Sequence, residues 1–200
     1  MKTIDLYLFD SKKIDDNLIK SLPFLRDEDF VILEEYTTLL GKQEKALSLY
    51  FKRKYIGDYS INQYGKPLSD SAFFNISHSN GIVIFTKTNL GPIGIDIEQI
   101  RPISKELITG ITTNEELQSI NSPEDFFKLW TCKESLLKSN GKGIIRNLKS
   151  VPALPYNGTK IYNQVYYFSQ VIKNSDYIIA VTIQSKEDFK INIIQEEINP

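Results

Sequence analysis

The stretch that most constrains this chain is Ile93-Gly94-Ile95-Asp96-Ile97-Glu98, a strict alternation of isoleucine with small or acidic residues. Period-two alternation is a strand pattern, because successive side chains leave a strand on opposite faces. It sets Ile93, Ile95 and Ile97 on one face and Gly94, Asp96 and Glu98 on the other. Two carboxylates two residues apart on one strand face repel each other, and a hard divalent cation between them turns repulsion into ligation. The plainer reading is an edge strand with a solvated acidic face, and the stretch alone does not choose between them.

The rest of the chain alternates helices with strand pairs. Residues 1–10 read as a first strand whose acidic residues and lack of a small-residue cleavage site are unlike a secretion signal. Residues 14–40 read as helical, with Leu22, Phe24, Phe30, Leu33, Leu39 and Leu40 as the apolar positions and Pro23 as an interruption. Over 41–56 a stronger helix sets Leu47, Tyr50 and Phe51 on an apolar face and Lys45, Ser48 and Lys52 on a polar one. A turn-rich segment, 58–70, precedes strands at 73–77, 81–87 and 93–97. Helices are then expected at 115–120 and 123–139, and a strand pair at 164–172 and 177–184. Runs of helices and hairpin strands, with no fixed-period repeat, favour an α+β fold over a parallel α/β sheet.

Charge and cysteine content narrow the function classes. With 24 basic and 25 acidic side chains among 200 residues, the net charge of −1 argues against a protein that coats nucleic acid or anionic membrane. The single cysteine, Cys132, forms no intramolecular disulfide and no cysteine-built zinc site, in keeping with a reducing cytoplasm. Apolar runs such as 81–85 and 177–181 are far shorter than a membrane span.

Four further segments carry candidate chemistry. Trp130, Glu134 and Lys138 fall at i, i+4 and i+8 of one expected helix, presenting a ring, a carboxylate and a cation on one side. An ordinary surface ion pair explains the last two equally well. Phe74-Asn75-Ile76-Ser77-His78-Ser79 sets the only histidine between two serines at a strand end, a loop suited to phosphate, while an idle turn histidine remains open. Lys66 in Gly65-Lys66-Pro67 is either phosphate-facing or a turn residue, and the glycine-flanked Lys142 in the run at 139–144 ending in Ile144 reads most simply as part of a helix stop. There is no Walker loop, G-x-G-x-x-G, G-x-S-x-G or H-E-x-x-H pattern.

Taken in order, Gly-Lys-Pro at 65–67, Asn-Ile-Ser-His-Ser at 75–79, Gly-Ile-Asp-Ile-Glu at 94–98, and Trp-Thr-Cys-Lys-Glu-Ser-x-x-Lys at 130–138 closely resemble the 4′-phosphopantetheinyl transferases of the Sfp type, over nearly the whole chain. The resemblance implies two similar α+β lobes, 1–101 and 102–200, related by a pseudo-twofold axis. Each would be a helix on a small, mainly antiparallel sheet, with the active site in the cleft between them. It further implies a cytoplasmic monomer that moves the 4′-phosphopantetheine arm of coenzyme A to a serine of an apo acyl, peptidyl or aryl carrier protein, releasing adenosine 3′,5′-bisphosphate. No nucleic acid or membrane partner is implied. The implied metal is magnesium, with manganese as the alternative, on Asp96, Glu98 and Glu134. Because three carboxylates on one octahedral ion leave little room for substrate oxygens, at least one is expected to act through water or at long range. The resemblance places Lys138 and Lys133 by the pyrophosphate or the metal ligands, and Lys45, Lys66, Ser77 and His78 on the nucleotide side. Glu116, with Glu115 as its neighbour and rival, is the implied proton acceptor for the attacking serine.

Two departures stand out. Family members often have a basic cluster that grips the 3′-phosphate where this chain reads Arg26-Asp27-Glu28-Asp29-Phe30-Val31-Ile32-Leu33-Glu34-Glu35. Lys45, with Lys42 or Lys66, is the expected substitute. The segment from Glu116 to Trp130, near the family's carrier-docking surface, is short. Two other function classes stay open on the residues: a non-catalytic module that binds carriers or nucleotides, and a metal-dependent phosphohydrolase.

Overall fold

The computed structural model describes residues 2–143 and 147–198. The chain runs β1 (Lys2–Asp10), α1 (Asp16–Ser21), α2 (Asp27–Glu34), α3 (Leu39–Tyr55), β2 (Ser60–Ile61), β3 (Pro67–Leu68), β4 (Phe73–Ser79), β5 (Ile82–Thr88) and β6 (Ile93–Gln99). It continues with α4 (Lys105–Ile111), α5 (Asn114–Gln118), α6 (Pro123–Asn140), β7 (Gly158–Tyr162), β8 (Val165–Asn174), β9 (Tyr177–Ile183) and β10 (Phe189–Gln195). The α+β expectation holds. Met1, the start of the expected first strand, and Ile144 lie outside the described residues.

Two four-stranded sheets form, ordered β10-β1-β5-β4 and β6-β9-β8-β7, beside a small β2–β3 ribbon. All pairings are antiparallel except that of β1 with β10. Alternation in β1 and β5 explains how the first sheet is covered on both faces. Phe9, Val83 and Phe85 pack with Leu47 and Phe51 of α3, whereas Ile4, Leu6, Leu8 and Ile84 point the other way. That second face meets Ile93, Ile95 and Ile97 of β6 and Ile179, Val181 and Ile183 of β9. The isoleucine face read from the sequence is thus the seam between the sheets, where burying each side chain contributes about 1.5–3 kcal/mol.

The other face of β6 is covered as well. α6 lies against it, and Asp96 is only 5% exposed. The reading of a solvated acidic face is therefore corrected, although β6 is the edge strand of its sheet: both of its faces are covered. Each sheet carries one long helix, α3 on the first and α6 on the second, but the sheets do not part at residue 101. β6 pairs with β9, and β10 returns to pair with β1.

Local sequence signals account for the helix boundaries. Thr38 caps α3 by accepting from the Gly41 N–H at 3.2 Å. Ser122 and Pro123 start α6, and Gly141, at φ 75°, stops it in the left-handed conformation. The helix expected over 14–40 is instead broken into α1 and α2, because the residue before Pro23 is held out of the helical region: Leu22 sits at φ −57°, ψ 121°. No described helix is long and apolar enough to cross a membrane.

Candidate active site

β4 at the edge of the first sheet and β6 at the edge of the second run side by side, joined through side chains. Asn75 Oδ1 accepts from the Ile95 N–H at 3.0 Å, Ser77 Oγ donates to Asp96 Oδ1 at 3.0 Å, and Ser79 Oγ donates to Glu98 Oε2 at 3.1 Å. The polar residues of Asn-Ile-Ser-His-Ser thus act as a zip between sheets. A cleft of about 540 Å³ opens beside this seam, walled by α3, the loop from Tyr64 to Pro67, β4, Asp96 and the second half of α6.

Asp96, Glu134, Lys138, Ser77, His78, Lys45 and Lys66 all line this cleft. Lys138 Nζ donates to Asp96 Oδ1 at 2.6 Å and to Ser77 Oγ at 2.9 Å. It does not pair with Glu134, so the surface ion pair that the i, i+4 spacing allows is absent among the described residues. The second carboxylate oxygen of Asp96 is buried with no partner. Burial pushes the Asp96 carboxyl up, with Lys138 pulling against it. Burial, and then the nearby Asp96, raises Glu134 in the same way. A buried carboxylate with an orphaned oxygen, beside the half-buried Glu134, is short of positive charge, and a cation supplies it.

His78 Nδ1 lies 3.0 Å from Glu44 Oε2. Glu44 is itself anchored because its Oε1 accepts the Gly81 N–H at 2.7 Å. An imidazole held through Nδ1 turns Nε2 away from Glu44. No pattern in the sequence marks Glu44, a buried carboxylate on a helix that carries charges on several sides.

Other expected residues lie elsewhere. Glu98 is outside the cleft lining, and its Oε2 accepts from Arg101 at 2.8 Å as well as from Ser79. Among the described residues no three acidic, histidine or cysteine side chains converge to cage a metal ion, so Asp96, Glu98 and Glu134 are not assembled as a set of three. Glu116 and Lys133 form a buried pair away from the lining: Lys133 Nζ donates to Glu116 Oε2 at 2.8 Å and to the carbonyls of Ile111 and Leu148, each at 3.0 Å. Glu116 Oε2 also accepts from the Thr113 N–H, closing a capping box at the start of α5. Lys66 reaches the cleft wall, yet its ammonium donates to the carbonyls of Lys138 at 2.6 Å, Ile93 at 3.2 Å and Ser139 at 3.3 Å. It braces the C-terminal end of α6, where carbonyls lack helix partners.

The acidic segment over 26–35 is also explained. Arg53 reaches back from α3 to Asp29 at 2.9 Å and Glu28 at 2.5 Å, while Arg26 pairs with Asp58 at 2.7 Å. Burial would raise the Asp29 carboxyl, but its bonds to Arg53 and the Arg26 N–H hold it below the usual carboxylate range.

Comparison with known proteins places the motifs in context. Residues 92–182 match the 4'-phosphopantetheinyl transferase superfamily. The 4'-phosphopantetheinyl transferase Sfp of Bacillus subtilis (strain 168) is 39% identical over 132 residues, 58% of this chain and 57% of that one. The transferase psf-1 of Bacillus pumilus is 29% identical over 169 residues, 75% of this chain and 72% of its own. The transferase gsp of Aneurinibacillus migulanus is 40% identical over 90 residues, 42% of this chain and 38% of its own. The first and third are thus matched over less than two thirds of their length. The family named from the motifs is the family found by comparison.

Proposed function

We infer that this chain, a relative of the Sfp-type 4′-phosphopantetheinyl transferases, transfers 4′-phosphopantetheine from coenzyme A to a serine of an apo carrier protein. The observation that carries this reading is the cluster of buried Asp96 and Ser77 with Lys138, beside Glu134 and with its unsatisfied Asp96 oxygen, at one end of a cleft whose lining also includes lysines and a histidine. The two helix-on-sheet units are the proposed lobes. A soluble, cytoplasmic monomer belongs to the same proposal.

The donor set fits magnesium better than a closed cage would, since that ion commonly takes one or two carboxylates and keeps water and substrate oxygens. Asp96 and Glu134 would hold it, with Glu98 at longer range. Once bound, it supplies positive charge that neutralises pyrophosphate oxygens. Lys138 holds Asp96 and Ser77 in place and adds its own charge to the same end of the cleft. His78 offers a ring nitrogen along β4 for phosphate oxygens, whereas the Ser77 hydroxyl proton is already given to Asp96.

In the reaction the carrier serine oxygen bonds to the β-phosphorus, the bond to the bridging oxygen breaks, and adenosine 3′,5′-bisphosphate leaves. The serine proton needs an acceptor within direct or one-water reach. Glu116 would serve only after its pair with Lys133 opened. Glu116→Gln should therefore act on stability: leaving Lys133 buried and unpaired costs about 3 kcal/mol or more. Urea denaturation reads this directly, and an unchanged midpoint with a slowed transfer step would restore Glu116 as the base.

The functional test is intact-mass measurement of apo carrier proteins after incubation with this protein, coenzyme A and magnesium, with an EDTA control. A metal-dependent phosphopantetheine adduct on the carrier serine is the expected result. Coenzyme A bound but never consumed would favour a binding module, and free phosphopantetheine released without a carrier would favour a phosphohydrolase.

A further inference from the structure

The two carboxylates of β6 each have a cation of their own. Lys138 serves Asp96 inside the cleft, whereas the partner of Glu98 is Arg101, which lies just beyond the end of β6 and outside the cleft lining. Arg101 belongs to none of the motifs at 65–67, 75–79, 94–98 or 130–138.

More than the ion pair holds Arg101. Its Nη1 donates to Glu98 Oε2 at 2.8 Å and to the Gln99 carbonyl at 3.1 Å, and its guanidinium lies over the Phe127 ring of α6, 4.8 Å from the centroid. A ring face and a carbonyl both attract a cation independently of Glu98, and the ring is buried and fixed. Arg101 is therefore a cation stationed beside Glu98, although its side chain is 52% exposed. Glu98 is restrained from the other side, because Ser79 Oγ donates to the same oxygen at 3.1 Å and itself accepts from the Gln99 N–H at 3.2 Å.

Electrically, Glu98 still acts on the cleft. Burial raises the Asp96 and Glu134 carboxyls, and the charge of Glu98 adds to the rise in both. A divalent ion on Asp96 and Glu134 gains from that third charge, and whatever Arg101 neutralises is lost to the ion. Holding Glu98 in its pair with Arg101 thus lowers the apparent metal affinity by the share of molecules so held.

We propose that Arg101 competes with the divalent cation for Glu98 and thereby sets how tightly the reacting end of the cleft holds its metal. The inference rests on the proposed function, and it makes Arg101 a positioning residue that acts through Glu98. It also explains why, among the described residues, Asp96, Glu98 and Glu134 are not gathered into one cage: the loop after β6 supplies a cation that anchors one of them.

The test is manganese(II) uptake, read from the electron paramagnetic resonance of the free ion with coenzyme A at one fixed concentration. The proteins are the wild type, Arg101→Met, Arg101→Lys, Glu98→Gln and the double variant Arg101→Met with Glu98→Gln. Methionine keeps an apolar stem on Phe127 and removes the charge. Arg101→Met should bind manganese about fivefold more tightly, the upper end for a partly exposed ion pair, while Arg101→Lys stays near the wild type. In the Glu98→Gln background the same change should bring no gain, because the effect runs through that carboxylate. A purely structural role would lower the melting temperature and leave metal binding unchanged or weaker. Unchanged or weaker uptake by Arg101→Met overturns the proposal, and so does a gain that survives in the double variant. With metal-dependent carrier modification by the wild type, either result leaves the proposed function standing. A wild type that takes up no manganese and modifies no carrier overturns both.

Discussion

Asp96→Asn should lower carrier modification about a thousandfold or more while leaving the protein folded. The substitution keeps the shape of the side chain and the hydrogen bond from Ser77, but removes the charge at the centre of the cluster. Stabilisation of a developing phosphoryl charge by fixed groups is where mutational losses of 10²–10³ are common, and loss of a metal carboxylate adds to this. The stability side is lopsided in favour of folding. Asp96 is buried with one oxygen unpaired, so neutralising it relieves a desolvation cost. Its partner Lys138 is 30% exposed at the side chain and can turn to water. Intact-mass kinetics and a thermal melt read the two effects separately. Transfer within tenfold of wild type would remove Asp96 from the reacting end, and a melt that collapses would make its role structural.

Much of this cleft was legible because its residues sit on elements with strong periodic signals. The alternation at 93–98 fixed which side chains face the other sheet and which face α6, and the i, i+4, i+8 spacing brought Glu134 and Lys138 to one side of that helix. What could not be read was which neighbours would claim each charge. Lys133 and Glu134 are adjacent, yet the helix turn sends Lys133 into a buried pair with Glu116 and Glu134 to the cleft. Lys66 lies in a motif that suggests phosphate and spends its donors on carbonyls. Lys52 was visible as part of a polar stripe, but its lack of a carboxylate partner depends on Arg53 and Arg26 absorbing the acids of α2, a matter of tertiary packing. The elements missed were the two-residue strands β2 and β3, inside the turn-rich segment, and α4, β7 and β10. α4 is short and carries Gly110, and β7 and β10 are sheet edges whose side chains are mostly exposed, so neither kind advertises a buried face. β10 also pairs with β1 across nearly the whole chain, a contact no local pattern specifies.

Gly94→Ala should be the most damaging single-methyl change in the protein. Gly94 has no unusual backbone angle; its role is to let α6 approach. A Cβ there would lie 2.0 Å from the Ser135 carbonyl oxygen, 2.3 Å from the Ser139 nitrogen and 2.8 Å from the Lys138 carbonyl carbon. These are backbone atoms in the last turns of a packed helix, not side-chain ends that can swing aside, so that part of α6 must retreat by about 1 Å or more. Overpacking of this kind costs roughly 1–3 kcal/mol and occasionally more. The same retreat carries Glu134 and Lys138 away from Asp96, and a displacement of about 1 Å at a reacting site can cost about a hundredfold in rate. The expected signature is thus a lowered melting temperature together with a kcat/KM loss that persists at temperatures where the variant is fully folded. Gly110→Ala is the matched control, because a Cβ at that position on α4 meets nothing within 4 Å. It should leave turnover alone and raise stability by at most ~1 kcal/mol through helix propensity. Wild-type melting and turnover in Gly94→Ala would mean that α6 does not rest on β6 as closely as the geometry requires, and the shared placement of Asp96, Glu134 and Lys138 would fall with it.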